Sequence, residues 1–430
     1  MTLKRKLVKN LMGVGLMKLL SIPIGLATSV VLARVLGPEK FGQYTFVMAL
    51  IPILALPVSG GARQLIIREV AIYAHSKNWS YYSGLLRAAH VWVVLVSITL
   101  LLLICWAVSK IGSSTVSEGA GKWALLPIAA FVIPFVGLGA VRSGAIKGLR
   151  MPVYSEAPQL FVQPLALLMF VAAAAYLEIL EPKIAIYGQL FGAFITFMVA
   201  TAIFIKVQPR FKEKAQRAYE SKRWASALLP FSLIALVTTF NAQMGITILG
   251  LIDSDEQVSA MRVAERAGGM VVLSLSIVNM VLAPFIVRAY QNDDFNSLQK
   301  MVTKAARGSL LLALPLAIVL IVFGKEIIEL TFGVEYSKIS YWPLVVVVLA
   351  QLFNVMCGSA GMVLSMSGNE KLTLIGQFVS VLLNVILCLV LIPYYGATGA
   401  ALGVGCALMV WNLILVFFLK HKLGIRAGPL

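Results

Sequence analysis

The sequence predicts an all-α integral membrane protein, and three observations carry that expectation. Of its 430 residues 60% are hydrophobic and only 13% charged, with a mean hydropathy of +0.91, whereas a soluble domain is nearer half apolar and a quarter charged. The apolar residues gather in runs of about 20 or more, long enough to cross a ~30 Å hydrocarbon core as helices. Those runs are continuously apolar, which excludes a transmembrane β-barrel, whose strands alternate apolar and polar.

Twelve spans are expected, at 11–36, 41–61, 80–108, 123–147, 157–178, 184–205, 225–252, 257–287, 308–331, 340–366, 372–395 and 397–420. The first follows a basic tail, MTLKRKLVKN, and has no small-residue cleavage site. It reads as a span with its tail in the cytoplasm rather than a removed signal. Between the sixth and seventh runs lies the charged stretch KVQPRFKEKAQRAYESKRW, Lys206 to Trp224. It divides the chain into an N-terminal six-helix lobe (1–205), a basic cytoplasmic linker (206–224) and a C-terminal six-helix lobe (225–430). LGPEKFGQY (Leu36–Tyr44) follows the first span and IDSDEQVSAM (Ile252–Met261) the seventh. Each is a short outer turn with an acid, Glu39 or Glu256, leading into the next helix, as in two halves of the same orientation related as a parallel repeat. Eight prolines, at 23, 52, 57, 134, 164, 230, 284 and 315, interrupt the spans. Each frees backbone carbonyls and bends a helix, which membrane proteins tolerate beside a cavity or a neighbouring helix.

Basic residues fix the expected orientation. With the N-terminus inside, the inner segments hold 24 Lys and Arg and the outer loops six. Most of the net charge of +18 is therefore topological, and because it is spread among inner loops it excludes a nucleic-acid surface. The four cysteines (Cys105, Cys357, Cys388, Cys406) lie in apolar runs without metal-ligand spacing, and His75, His90 and His421 are scattered. No metal, cofactor or catalytic group is expected.

Six basic residues fall inside or at the edges of spans: Lys18, Arg34, Arg87, Arg142, Arg262 and Arg266. Arg34 and Arg142 lie near span ends and can snorkel to the headgroups. Lys18 and Arg87 sit about seven residues inward, roughly 10 Å at helical rise and at the limit of that reach. Arg262 and Arg266 share one helix face, with Glu265 on its flank. Glu265 either pairs with Arg262, lowering its insertion cost, or serves a proton-coupling role; both leave Arg266 uncompensated. A surplus of guanidinium suits a phosphate, which it grips through bidentate, charge-assisted bonds. Sugar hydroxyls would then meet Asn241, Gln243, Asn279, Gln351, Asn354, Gln377 and Asn384, each equally suited to interhelical hydrogen bonding.

Three stretches carry a resemblance. VVLARVLGPEKFGQYTFVMAL (Val30–Leu50) resembles the opening signature of Wzx-type polysaccharide (O-antigen) flippases of the multidrug/oligosaccharidyl-lipid/polysaccharide (MOP) exporter superfamily. APFIVRAYQNDDFNSLQKMVTKAAR (Ala283–Arg307) and LIPYYGATGAALGVG (Leu391–Gly405) are similar to that family's connection between spans eight and nine and its turn before the last span. The resemblance implies two six-helix lobes around a central cationic cavity. It implies alternating-access passage of an undecaprenyl-pyrophosphate-linked oligosaccharide across a bacterial inner membrane, both termini cytoplasmic. Membrane lipids are implied partners; a proton or another coupling ion and polysaccharide-assembly proteins stay open. A drug/cation antiporter of the same superfamily should carry acids in its spans, and six basic residues against Glu265 argue otherwise. A glycan polymerase or ligase should expose a sizeable outer loop. The longest here, SKIGSSTVSEGAGK, has one acid and no His.

Overall fold

The computed structural model describes residues 3–114, 120–209 and 217–429. The middle of the expected linker, 210–216, and part of the outer loop, 115–119, lie outside the described residues. The chain forms α1 (Leu3–Leu54), α2 (Leu56–Ser59), α3 (Ala62–His75), α4 (Trp79–Ser114), α5 (Ala120–Ala130), α6 (Val132–Gly148) and α7 (Pro152–Ala157). A π-helical turn (Pro158–Val162) leads into α8 (Gln163–Tyr176), α9 (Pro182–Val207), α10 (Ser221–Ile252), α11 (Asp255–Gly268) and α12 (Leu273–Gln291). Then follow α13 (Phe295–Val322), α14 (Gly324–Thr331), α15 (Val334–Cys357), α16 (Ala360–Met366) and α17 (Glu370–Leu423), with no strand among the described residues.

Nine helices among the described residues are long and apolar enough to span, or ten if α11 and α12, bent by 51°, form one broken span. The expected twelve therefore depends on dividing two overlong helices. A straight α17 of 54 residues would measure roughly 80 Å at 1.5 Å per residue, far beyond a ~30 Å core. It is broken at Gly396 (φ 53°, ψ −129°), and its two arms pack on each other. Ser380 Oγ donates to the Ala407 carbonyl at 3.0 Å, and a Cβ on Gly403 would lie 2.7 Å from Cys388 Sγ. Small residues supply this close approach, because lipid offers no hydrophobic drive between helices. α1 breaks likewise at Gly37 (φ 75°, ψ 173°), a backbone conformation for which glycine is suited.

The chain divides into two compact units. One comprises residues 37–46 and 240–430. There the stretch after Gly37 buries Phe41, Tyr44 and Phe46, Phe41 standing edge-on to Tyr336 with centroids 6.3 Å apart. A Cβ on Gly42 would lie 1.7 Å from the Asp255 carbonyl oxygen, so the two acidic turns that look alike in sequence pack directly together. Gln257 Oε1 accepts the Ala397 N–H at 2.9 Å, securing the turn inside α17. Expected span 257–287 is interrupted between α11 and α12, where Gly268 and Gly269 end the first piece. Expected span 340–366 breaks at Gly358 (φ 66°), and 308–331 breaks between α13 and α14 at Phe323. In the connection between α12 and α13, Asp294 caps α13 by accepting the Ser297 N–H at 3.0 Å.

The other unit comprises residues 1–36 and 47–239. Segment 62–79, left between the expected spans 41–61 and 80–108, is not irregular. Most of it is α3, an amphipathic helix burying Leu65, Ile66, Glu69, Val70 and Tyr73. Those positions recur at three and four residues, the helical period. Gly148 of α6 lets α3 approach, since a Cβ there would meet Val70 Cγ1 at 2.7 Å.

Candidate functional site

The strongest candidate lies on α11. Asp255 and Glu256 occupy its first turn and Arg266 its last, matching the positive and negative ends of the helix dipole. Val258, Met261, Val263 and Ala264 are fully buried and fix the face that turns inward. Arg262 Nη1 pairs with Glu265 Oε2 at 3.2 Å, both side chains about one-quarter to one-fifth exposed. Arg266 is exposed and makes no hydrogen bond or ion pair among the described residues, with Tyr44 within its electrostatic reach. Two cations, one carboxylate and the roughly half negative charge of the helix end leave about half a positive charge. Residue counting alone gives one positive charge here, and the helix end lowers that by about half.

The remaining cations lie in the other unit. Arg142 on α6 holds its guanidinium 4.8 Å from the Phe204 ring centroid, a cation–π contact. Its Nε is buried without a hydrogen bond, and Tyr82 and His90 of α4 lie within its electrostatic reach. His90 turns Nδ1 to the Leu86 carbonyl, leaves Nε2 buried without a partner and feels Arg87 as well. Arg87 is exposed, as are Lys18 and Arg34 on α1. Thus Arg262, Glu265 and Arg266 form one group and Arg87, His90 and Arg142 another; no described contact joins Lys18 to either. Of the amide candidates, Asn354 donates to Gln351 at 3.3 Å, Asn279 accepts from Ser359 and Asn384 from Cys388 at 3.2 Å. No metal-binding group of His, Cys, Asp and Glu is present among the described residues.

Two acid clusters are not visible in the sequence pattern of spans and loops. Glu69 has a side chain with 0% exposure, held by Arg68 at 2.6 Å and Arg223 at 3.1 Å. Beside it Tyr73 OH donates to Glu220 Oε2 at 2.7 Å and Trp224 Nε1 donates to Tyr73 OH at 2.9 Å. Arg223 reaches Glu220 at 3.0 Å, and Arg68 lies over the Phe231 ring at 5.5 Å. In the other cluster Glu156 accepts from Arg63 and Lys147, both at 2.8 Å. The available signal was periodicity. Glu69 falls four residues after Leu65 and four before Tyr73, a charge on an apolar helical face that needs a partner.

Comparison with solved structures places the architecture. A structure of the lipid II flippase MurJ, in an inward closed conformation, matches with a TM-score of 0.75 and 18% identity, covering 95% of this chain and 87% of that one. An inward-facing multidrug resistance MATE family transporter of the MOP superfamily matches at 0.74 and 13%, covering 95% and 98%. The protein is therefore a multi-pass membrane protein with the fold of the MOP superfamily. The family model described as "Polysaccharide biosynthesis protein" matches residues 31–341, well over half of the chain, and the chain belongs to that family. A probable low-salt glycan biosynthesis flippase, Agl15, of Haloferax volcanii is 25% identical over 211 residues, 47% of this chain. The match spans only 43% of that relative's length.

Proposed function

We propose that this chain is a flippase carrying an undecaprenyl-pyrophosphate-linked oligosaccharide from the inner to the outer leaflet of a bacterial inner membrane by alternating access, as a transporter rather than an enzyme. The carrying observation is the uncancelled Arg266 beside the Arg262–Glu265 pair, in a chain of a polysaccharide biosynthesis family. A diphosphate presents the negative oxygens that a guanidinium binds most strongly, and Arg87 and Arg142 add positive charge in the other unit. The MurJ likeness and the Haloferax flippase support a lipid-linked saccharide as cargo. Glu69 and Glu156 do not favour an organic cation, because each is already held by two basic groups.

The test is transport in proteoliposomes of a short-chain pyrophosphate-linked oligosaccharide. Wild type moves it, Arg266→Ala at equal insertion loses at least tenfold in rate, and Arg266→Lys recovers part. Normal transport by Arg266→Ala would make this arginine structural. Export of an organic cation with no lipid movement would favour the antiporter reading.

A further inference from the structure

Within the unit of residues 1–36 and 47–239, a cleft of about 410 Å³ opens between α3, α4 and α10. Its walls are almost wholly apolar and include Leu65, Ala88, Trp92, Trp224, Leu228 and Leu229. The two indoles have their N–H groups engaged elsewhere, Trp92 on the Pro57 carbonyl at 3.0 Å and Trp224 on Tyr73 OH at 2.9 Å. What they offer the cleft is ring surface, which packs well against unsaturated carbon. Along α10 the lining runs from Ser221 to Ser232, and along α4 from Leu85 to Trp92. At 1.5 Å per residue from the start of either helix, the cleft lies within about 20 Å of one membrane face. The basic-residue bias assigns that face to the cytoplasm.

The mouth is charged. Beside the lining residues Ser221 and Trp224, Arg68 and Arg223 hold Glu69, Arg223 also reaches Glu220, and Lys222 stands exposed between them. Three cations against the two carboxylates Glu69 and Glu220 leave one positive charge, that of Lys222, beside an apolar slot. That arrangement complements an amphiphile with a hydrocarbon tail and a phosphate head. At ~30 Å³ for each water-sized group, the cleft holds about fourteen such groups, the heavy atoms of about three isoprene units.

We propose that this cleft receives the phosphate-proximal isoprenoid chain of the lipid carrier during loading, its diphosphate at the basic mouth before Arg266 takes it; the proposal rests on the flippase reading above. The chain would be held by α3, α4 and α10, which supply the lining.

The experiment is photolabelling of the full-length protein, reconstituted in phosphatidylcholine, with a four-isoprene polyprenyl monophosphate carrying a diazirine on its third unit. Label is expected on segments 62–66, 85–92 and 221–232. Unlabelled polyprenyl phosphate should displace it at least tenfold, and phosphatidylglycerol at the same concentration less than twofold. Ala88→Phe and Ala225→Phe, which fill the cleft, should each cut labelling at least fivefold; if one fails to fold, the other and the wild-type map decide. Equal displacement by phosphatidylglycerol would overturn the proposal in favour of a general lipid site. Label confined to other segments while transport persists would overturn this site and leave the flippase reading standing. No label anywhere together with no lipid transport would overturn both.

Discussion

The arginines near the start of α10 and on α3 differ from those on α11 in one respect, the supply of acid. Arg68 and Arg223 share a fully buried glutamate, and Arg63 shares Glu156 with Lys147. On α11 one partly buried carboxylate meets Arg262 while Arg266 stands one turn further on. Sequence position conceals this contrast. By position, the α3 and α10 arginines are loop charges that set topology, yet they clamp helices together. Those on α11 are costly by position, yet one of them is left without a carboxylate. A basic residue in a membrane protein is thus informative in proportion to what is left after its acids are counted.

The sharpest way to break that contrast is Glu69→Gln. Removing the shared carboxylate leaves two guanidiniums facing each other, and since both are nearly half exposed the expected loss is about 2–3 kcal/mol. It would be read as a lowered melting temperature in detergent, and adding Arg223→Gln should return part of it. Arg266→Ala should do the reverse, leaving melting within about 0.5 kcal/mol of wild type while transport falls at least tenfold, equivalent to about 1.4 kcal/mol. A melting loss as large as that of Glu69→Gln would erase the distinction. Smaller is the effect of Glu265→Gln, whose partly exposed pair at three-residue spacing contributes about 0.5 kcal/mol. Transport should survive it; abolition with normal folding would make Glu265 a coupling group. Smallest is Asp294, whose carboxyl is held below its ordinary range by the Ser297 N–H and side chain. Its native state favours the ionised form, so the cap's contribution is present above the unfolded carboxyl's pKa of about 4 and disappears as pH falls through the lower native value. Melting of wild type and Asp294→Ala should converge on acidification from pH 7 to 3, whereas a constant difference would mean that the carboxyl acts by packing.

Much of the fold was legible because lipid imposes a length and a composition on every span. The run at 184–205 reappears inside α9, extended by two residues at each end, and that at 225–252 inside α10, which starts four residues earlier and ends at the same Ile252. Breaks were harder to see. α11 ends where the ladder tightens, Met270 N–H turning to the Ala267 carbonyl at 3.2 Å and Val271 N–H to that of Gly268 at 3.1 Å, and hydropathy does not register that event. Segment 62–79 fell between apolar runs, and its helical repeat of Leu65, Glu69 and Tyr73 was not read. Of the candidate site, spacing offered the Arg262–Glu265 pair as one of two readings of Glu265, and the two side chains lie 3.2 Å apart. Long-range partners such as Glu69 with Arg223 or Glu156 with Arg63 could not, because nothing local brings residues 154 or 93 positions apart together.

Gly42 has an electrical consequence. Its missing Cβ seats the start of α11 against residues 37–46, and the carboxylates of Asp255 and Glu256 mark that end as the watery one. Eleven residues further on, at 1.5 Å each, Arg266 stands roughly 16 Å inward, about halfway through a ~30 Å core. A charge at mid-depth has crossed about half of the transmembrane potential, worth about 1.1 kcal/mol per 100 mV. A glycine within α1 therefore sets how strongly membrane voltage bears on the cation that α11 carries.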